Sequence, residues 1–236
     1  LPEKPGVDDL DAEDCVGIDL GITNYIYTSD GDSVDWLDLT DEYERLLREQ
    51  RSLSRKKHGS NNWEKQRREV AKVKRRIKRN VEDFQHKLTT WLVKTYDAVF
   101  VEDLNVAGML QQRGNARNKQ DASWRGFIEM LEYKGDLYGT HVRQVNPAGT
   151  TKECAECGVE TEKPLWVREH SCPSCGFEVD RDANASYNVL SRGLQELGLG
   201  QAESTPVETA TAVETDGGQS SSVPASRVIE TGSLGA

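Results

Sequence analysis

Two Cys-x-x-Cys pairs lie close together in the C-terminal half of this 236-residue chain. The first pair is Cys154 and Cys157, and the second, after fourteen intervening residues, is Cys172 and Cys175. Each pair can direct two thiolates at one centre, and two pairs complete the tetrahedral four-sulfur shell of a structural zinc ion. Because the protein fills all four positions, none is left for a reactive water. The spacing therefore predicts a zinc ribbon that holds one structural zinc ion.

Free thiols or disulfides are the alternative to a metal site, and His170 in the same segment is an alternative ligand. Because the chain shows no secretory signal, metal ligation is favoured over disulfides. The fifth cysteine, Cys15, lies far away on the first expected strand, and we expect it to be a small core residue.

Three acidic residues occur where apolar strands end or where the last helix begins. Asp19 ends the segment VGID, Glu102 ends AVFVE, and Asp182 lies just after the cysteine segment. Magnesium and manganese prefer such carboxylate oxygens, and two ions about 3.5–4 Å apart can stabilise both the attacking and the leaving oxygen of a phosphodiester reaction. The order of these acids along the chain therefore predicts a catalytic site for two magnesium or manganese ions.

Each acid has a simpler explanation when it is taken alone. Acids at strand ends are commonly solvated, and Asp182 can complement the positive end of its helix. Asp103 and Asp180 lie beside the same positions, and the spacing alone does not exclude them.

One block of the chain is strongly basic although the net charge is −10. Residues 45–79 contain fifteen Lys and Arg against three Glu, whereas the acidic residues concentrate at both chain ends. A helix face with only positive charge can bind the phosphate backbone of a nucleic acid. Such contacts position the nucleic acid but do not recognise its base sequence. A merely solvated basic face is the alternative. The predicted nucleic-acid contacts are Arg55, Lys56, Lys57, Lys72, Lys74, Arg75, Arg76, Lys78 and Arg79.

The apolar pattern predicts the elements that position these residues. The segments CVGIDLG and NYIYTSDGDSVDWLDL predict a three-stranded meander with a hairpin turn at Asp30-Gly31. Alternation along its first strand puts Gly17 on the same face as Asp19, which predicts free space beside the carboxylate.

The remaining elements alternate between helices and strands. The second basic helix carries its apolar residues on one stripe, which predicts that it packs on the sheet. The expected elements are a helical insertion over 41–96 with a break at 58–62, a strand over 97–103, a helix over 123–139 with Ser123 as N-cap, a strand over 140–147, and a last helix to about Leu197.

Residues 200–236 are rich in Ser, Thr, Glu and Gly without periodicity, and we expect a disordered acidic tail there. No run of 18 apolar residues occurs, so a membrane-spanning helix is not expected. The acidic start of the chain has no apolar segment typical of a signal peptide. We therefore expect a cytoplasmic protein without a membrane partner.

Three motifs and the ribbon, in this order, resemble the RuvC-like nuclease half of the TnpB/OrfB family of transposon-encoded proteins, which are related to type V CRISPR effectors. The motifs are GIDLG, VEDLNVAGM and, directly after the ribbon, DRDANASYN. The resemblance implies an α/β fold of the RNase H-like (RuvC) type, a mixed sheet flanked by helices with an inserted zinc ribbon. It also selects Asp19, Glu102 and Asp182 as the catalytic, metal-binding acids over their neighbours, with Asn184 and Asn188 in support.

The resemblance implies a metal-dependent DNA endonuclease of a mobile element, which is RNA-guided in that family. DNA and guide RNA are then the expected partners, a separate transposase is a further candidate, and the protein would associate with the nucleoid. Full-length members carry an N-terminal domain for guide and target recognition. Only fourteen residues precede Cys15, so we expect that domain to be lacking here.

Two other functional classes stay open. One is a catalytically inactive nucleic-acid-binding zinc-ribbon module, and the other is a transposition regulator or DNA-joining transposase. A tyrosine transposase is disfavoured because the four histidines are scattered. The expected domains are an acidic linker at 1–14, a nuclease core at 15–149, the zinc ribbon at 150–179, the third motif and final helix at 180–199, and the tail at 200–236.

Overall fold

The computed structural model describes residues 2–21, 23–103, 123–164, 166–199 and 222–223. None of the helices in these ranges is both long and apolar enough to cross a membrane. In chain order the elements are two short 3-10 turns (Val7–Asp9 and Ala12–Asp14), β1 (Cys15–Asp19), β2 (Ile26–Thr28), β3 (Ser33–Val34), α1 (Thr40–Ser54), α2 (Asn61–Thr95), β4 (Ala98–Glu102), α3 (Trp124–Tyr138), β5 (His141–Val145), β6 (Glu169–Ser171), β7 (Glu178–Asp180), α4 (Arg181–Glu196) and β8 (Ser222–Val223).

The main sheet is mixed and has the strand order β5-β4-β1-β2-β3-β8. The first three strands of the chain form the predicted antiparallel meander, and β1 also pairs in parallel with β4, which pairs in parallel with β5. Ile18 lies opposite Val101, so β1 and β4 end side by side. This mixed sheet with flanking helices confirms the predicted α/β fold class.

The hairpin turn between β2 and β3 forms where the sequence predicts it. Gly31 has a φ of +87°, a left-handed conformation that glycine adopts without a steric penalty. The Gly31 amide donates to the Thr28 carbonyl at 3.1 Å, and the Thr28 amide donates to Asp32 at 2.8 Å. These bonds close the turn and set the register of the two short strands.

The long helix α2 buries its predicted apolar stripe in two different places. Ser60 begins the helix, and its hydroxyl accepts a hydrogen bond from the Trp63 amide at 3.2 Å. Val70, Val73 and Ile77 pack against α1, in a cluster separate from the core of the sheet. Further along, residues such as Phe84 and Leu88 join the core between the sheet and α3. The basic first half of α2 is therefore held by α1, and the second half anchors both helices to the sheet.

The helix α4 covers the opposite face of the sheet. It packs so closely on β1 that the free space predicted beside Gly17 does not exist. A Cβ atom at Gly17 would overlap the carbonyl oxygen of Ser186 and the amide nitrogen of Leu190, and would lie 2.8 Å from the Leu190 Cβ. The space beside Gly17 is therefore filled by the backbone of α4. Glycine is required at this position because the helix lies directly on the strand.

We expect a Gly17→Ala substitution to destabilise the protein by roughly 1–3 kcal/mol or more, because a rigid backbone cannot yield as a side chain does. The measurement is the midpoint of denaturant unfolding. Gly126→Ala is the matched control, since its new methyl group would meet chiefly the Ser123 hydroxyl, at 3.1 Å. An unchanged midpoint for Gly17→Ala would contradict the close contact between β1 and α4.

Ser123 precedes α3, but it does not cap the helix with its side chain, contrary to the prediction. Its φ is +46°, and its hydroxyl accepts no capping hydrogen bond. Its carbonyl instead accepts hydrogen bonds from the Phe127 amide at 3.1 Å and from the Gln85 side chain at 3.2 Å. The tertiary contact with Gln85 on α2 therefore holds the start of α3 through the backbone.

Two stretches with sequence predictions lie largely outside the described residues. One is 104–122, which includes most of the second motif, and the other is the tail from 200 onward. Within the tail, the two residues of β8 pair in parallel with β3. The predicted disorder of that tail stays a prediction.

Candidate active site and metal centre

The ends of β1 and β4 bring two of the predicted acids together. Asp19 is the last residue of β1 and Glu102 is the last residue of β4, and the parallel pairing of these strands runs up to the residue before each acid. Asp182 is the second residue of α4, which packs on β1. All three residues are buried.

The three carboxyl groups interact electrostatically. The pKa of Asp19 is raised well above its ordinary value, first by burial and then by the negative charges of Glu102 and Asp182. Arg168 and Arg181 oppose this shift in part. The metal-free cluster therefore resists full ionisation, and a divalent cation bound among the acids would relieve that repulsion.

Glu102 is oriented by a residue that the sequence analysis did not single out. The Thr150 hydroxyl donates a hydrogen bond of 2.5 Å to Glu102 Oε1. Burial raises the pKa of Glu102, while the bond from Thr150 and the charge of Arg192 lower it. Thr150 lies in the segment that leads from β5 into the cysteine region, so this segment positions one carboxylate of the site.

Asp182 is held by an ion pair with Arg168, which lies in the cysteine region just before β6. Burial raises the pKa of Asp182, and Arg168 lowers it. No spacing signal in the sequence links these two residues, since the contact depends on how the ribbon folds over the start of α4. The ion pair therefore places a positive charge directly beside one oxygen of the Asp182 carboxylate.

The neighbouring acids have different surroundings. Asp180 is the N-cap of α4, and its carboxylate accepts a hydrogen bond of 2.8 Å from the Asp182 amide. Asp103 is exposed, and its amide donates to Val145 in β5. Asp180 therefore caps the helix, and Asp182 lies in its first turn, where it can still complement the positive end of the helix as the sequence allowed. The catalytic roles of Asp19, Glu102 and Asp182 stay a prediction.

The four cysteines form a tight cluster. In the described part of the chain they are the only group of three or more potential ligands whose ligand atoms all lie within 4.8 Å of one another. The Sγ atoms of Cys154 and Cys175 are 3.7 Å apart, and those of Cys157 and Cys172 are 3.5 Å apart. Zn–S bonds of about 2.3 Å in a tetrahedron require about 3.8 Å between sulfurs, so the cluster fits zinc.

Two equivalent backbone turns create this cluster. The Gly158 amide donates to the Cys154 carbonyl at 2.8 Å, and the Gly176 amide donates to the Cys172 carbonyl at 3.0 Å. Both glycines have positive φ values, +73° and +78°. Each turn folds a Cys-x-x-Cys pair around one point, and the antiparallel strands β6 and β7 follow the second turn. The arrangement is that of the predicted zinc ribbon.

His170 does not belong to the cysteine cluster. It is fully buried, and its Nδ1 atom lies 2.7 Å from the Lys163 ammonium group, which can only donate. Burial and the charge of Lys163 lower the pKa of His170, which favours the neutral ring. The structure therefore leaves His170 as a core residue of the ribbon and does not support it as an alternative ligand.

Asparagine side chains attach the ribbon to α4. Asn184 and Asn188 each donate to the carbonyl groups of Thr150 and Glu153, at distances between 2.7 and 3.2 Å. Asn184 also accepts a hydrogen bond of 3.1 Å from the Ala155 amide. The two asparagines thus support the third motif by hydrogen bonds, as the resemblance implied, but they bind the ribbon entrance and not the acids.

The predicted nucleic-acid residues lie on α2 and on the turn between α1 and α2, and all of them except the half-buried Lys56 are exposed. Lys56 donates to Ser52 and Gln66. Three of the others form ion pairs, which are Lys72 with Glu69, Arg76 with Glu42, and Lys78 with Glu82. Lys74, Arg75 and Arg79 form no ion pair with any described residue.

The basic surface also extends further along α1 than the sequence analysis predicted. Arg48 and Arg51 line a surface depression together with Arg55 and Lys56. Arg48 and Arg51 lie on α1 three residues apart, which places them on one side of the helix, and Arg55 and Lys56 directly follow its last residue. That periodicity was the signal in the sequence that would have found Arg48 and Arg51.

Two family models match the chain. The OrfB_IS605 model, described as a probable transposase, matches residues 7–113, and the model of the Cas12f1-like TNB domain matches residues 124–189. The first match contains Asp19 and Glu102, and the second contains the cysteine cluster and Asp182.

Relatives share a large part of the chain. A "Putative RNA-guided DNA endonuclease" of Streptomyces pristinaespiralis is 41% identical over 186 residues, which cover 76% of this chain and 45% of that protein. A "Putative RNA-guided DNA endonuclease InsQ" of Escherichia coli K12 is 33% identical over 203 residues, which cover 79% of this chain and 50% of that protein. The chain spans about half the length of these curated relatives.

Two solved structures share the fold. The cryo-EM structure of a Cas12f1-sgRNA-target DNA complex matches 80% of this chain and 51% of its own, with a TM-score of 0.52 and 18% identity. A CRISPR-Cas12f ternary complex matches 74% of this chain and 38% of its own, with a TM-score of 0.54 and 18% identity. The family models and relatives agree with the order of motifs, and they show that the chain is similar to the TnpB/OrfB family over residues 7–113 and to the Cas12f1-like TNB domain over residues 124–189.

Proposed function

We propose that this protein is the nuclease part of an RNA-guided DNA endonuclease and hydrolyses phosphodiester bonds with two magnesium or manganese ions. The observation that carries this proposal is the burial of three carboxylates, Asp19, Glu102 and Asp182, with the negative charges of the other two raising the pKa of Asp19. Buried like charges are unfavourable unless a cation compensates them, so their presence together favours a metal-binding role over a structural one.

Each carboxylate contributes from a different element. Asp19 and Glu102 would hold the ions from neighbouring strand ends, and the Thr150 hydroxyl would fix the orientation of Glu102. Asp182 would complete the site from α4 after Arg168 releases it. The ions would supply the activated water and stabilise the leaving 3′-oxygen. Once released, Arg168 would still place a positive charge beside a bound phosphodiester.

The three acids lie further apart than the ligands of a single tetrahedral ion. In the described residues their oxygens do not all lie within 4.8 Å of one another, unlike the cysteine sulfurs. The proposal therefore places two ions about 3.5–4 Å apart among the acids, and not one ion that all three share.

The cysteine cluster would hold one structural zinc ion. The ribbon carries Arg168, and its entrance carries Thr150, so folding of the ribbon around zinc would set the positions of two residues that contact the acids. In this proposal zinc takes no part in the chemistry, because four thiolates leave no open position.

The partners of this activity would be DNA and a guide RNA, as the names of the relatives indicate for those proteins. The exposed basic residues of α1 and α2 supply the surface that such nucleic acids require. The protein would then act at the nucleoid, and a separate transposase would be a further partner of the same mobile element.

The second candidate is a nucleic-acid-binding module without catalysis. The ion pair between Arg168 and Asp182 favours it, because a guanidinium already neutralises one of the three acids. Incubation of DNA with manganese and the purified protein separates the two candidates. Cleavage that a chelator stops supports the endonuclease. Binding without cleavage supports the module, if the preparation was also supplied with RNA and with the half of a relative that the matched region does not cover.

Replacing Lys74, Arg75 and Arg79 with Gln is expected to weaken nucleic-acid binding evenly across sequences. Each lost phosphate contact lowers the slope of log K against log salt by about 0.9 for a duplex, so the triple variant should lose up to about 3 in that slope. The measurement is a salt titration of fluorescence anisotropy with a labelled duplex.

The matched control replaces Lys72, Arg76 and Lys78 with Gln. It changes the net charge equally but removes side chains that already bind Glu residues. We expect a smaller loss of salt slope for the control. If both triple variants keep the slope of the original protein, the basic surface is only solvated.

A further inference from the structure

Trp166 is exposed to an unusual degree for a tryptophan. Its relative exposure is 81%, whereas the other exposed large hydrophobic residues in the described part of the chain lie between 37% and 47%. The other four tryptophans are buried or partly buried, and Trp124 is fully buried. An indole left in water keeps a large flat apolar surface available for a ligand.

The backbone holds Trp166 close to the proposed active site. The Pro164 carbonyl accepts a hydrogen bond of 3.4 Å from the Arg181 side chain, and the Arg168 carbonyl accepts one of 2.6 Å from the Arg181 amide. The Val167 amide donates to the Pro164 carbonyl at 3.1 Å. Trp166 therefore lies on a turn that is anchored on both sides to Arg181, the residue directly before Asp182.

The positive charge of Arg168, close to Trp166, indicates which kind of ligand would bind here. Arg168, two residues after Trp166, reaches Asp182, and two residues of extended chain span at most about 7 Å. A ligand that lies on the indole and continues to the acids therefore passes a guanidinium. Such a ligand needs a flat ring with an adjoining negative group, which describes one nucleotide of a strand.

We propose that Trp166 is a stacking platform for an unpaired base of the DNA strand that enters the acid cluster. Bases in a duplex are stacked on each other, so a single projecting indole can take only a base of a single strand. Every base has a π-face, so the contact would hold the strand without a strong sequence preference. This inference rests on the proposed nuclease function for the identity of its ligand.

Binding of an oligothymidine in the presence of chelator tests the proposal, because chelator prevents cleavage. Stacking is worth about 1–3 kcal/mol per base, so Trp166→Ala should weaken single-strand binding by about 5-fold or more. Trp166→Phe keeps an aromatic face and should retain most of the affinity. In the original protein, the oligonucleotide should quench the tryptophan fluorescence, and Trp166→Ala should lose most of that quenching.

A duplex of the same length is the matched ligand, and its affinity should be unchanged by Trp166→Ala. Equal single-strand affinity for Trp166→Ala and the original protein would overturn the proposal, as would equal losses for single strand and duplex. Because these measurements need no metal, they are independent of the acids. Stacking without any manganese binding would overturn the nuclease function alone, and manganese binding without a Trp166 effect would overturn stacking alone.

Discussion

Changing Asp19 to Asn is expected to abolish DNA cleavage while raising the melting temperature of the metal-free protein. In the proposed mechanism Asp19 is a metal ligand worth several kcal/mol of transition-state stabilisation, so its removal should slow cleavage by about 10³-fold or more. The gain in stability follows because the pKa of Asp19 is raised by burial and by the neighbouring acids. Asn has the shape of the protonated carboxyl group but does not ionise.

The sign of the pH dependence distinguishes this explanation from a general change in packing. A carboxyl group with a raised pKa in the folded state stabilises the fold at low pH, and that contribution is lost as the pH rises through the raised pKa. The stability gain of Asp19→Asn should therefore appear at neutral pH and vanish in acid. The measurements are thermal melts in chelator across pH and cleavage of a labelled DNA strand with manganese.

Asp103→Asn is the control for Asp19→Asn, since Asp103 is exposed beside the same cluster. We expect it to change neither cleavage nor the melting temperature. An Asp19→Asn variant that melts lower than the original protein in chelator would contradict the repulsion among the acids. One that cleaves at an undiminished rate would contradict the proposed role of Asp19 as a metal ligand.

Replacing Cys172 with Ser is expected to remove zinc and to release the ribbon while the sheet stays folded. Binding of structural zinc is worth about 10–16 kcal/mol in zinc-finger peptides, and much of that free energy folds the peptide. The core between the sheet, α2 and α3 contains no ribbon residue, so it should persist. The measurements are zinc content by mass spectrometry and amide hydrogen exchange over residues 150–180.

Loss of zinc should also disturb the positions of Glu102 and Asp182. The ribbon and its entrance supply the hydrogen bond from Thr150 to Glu102 and the ion pair from Arg168 to Asp182. We expect cleavage to fall together with the zinc content. Cys15→Ala is the control, because Cys15 is buried beside β4 and outside the cluster. The four-cysteine zinc site would be contradicted if Cys172→Ser retained its zinc. It would also be contradicted if amide hydrogen exchange over residues 150–180 were unchanged in zinc-free protein.

Several features could be predicted because they depend on local spacing. The zinc ribbon follows from two Cys-x-x-Cys pairs, and the structure places their sulfurs at the distances that zinc requires. The long helix α2 and its buried face follow from apolar residues repeated every three or four positions. The burial of Cys15 was expected from its apolar strand, and burial raises the pKa of its thiol to about 11.

Other features depend on contacts between distant segments, which no local pattern records. Thr150 and Arg168 touch the acids only because the ribbon folds back onto α4. The space expected beside Gly17 is filled because α4 crosses β1 at that residue. Ser123 precedes α3 in a left-handed conformation without a side-chain cap, and Gln85 from another helix binds its carbonyl. In each case the surroundings of the residue are set by a contact with a distant segment, which the local sequence pattern does not reveal.

The central claim is that Asp19, Glu102 and Asp182 bind two divalent metal ions. The most direct test titrates zinc-loaded protein with manganese and measures bound ions by the decrease of the EPR signal of free manganese. The account predicts two manganese ions per chain, and a loss of this binding in Asp182→Asn. Asp180→Asn should keep the binding, because asparagine caps a helix as well as aspartate does and the cap at Asp180 is the only role assigned to it. No manganese binding by the original protein, or binding that Asp180→Asn abolishes and Asp182→Asn retains, would contradict the account.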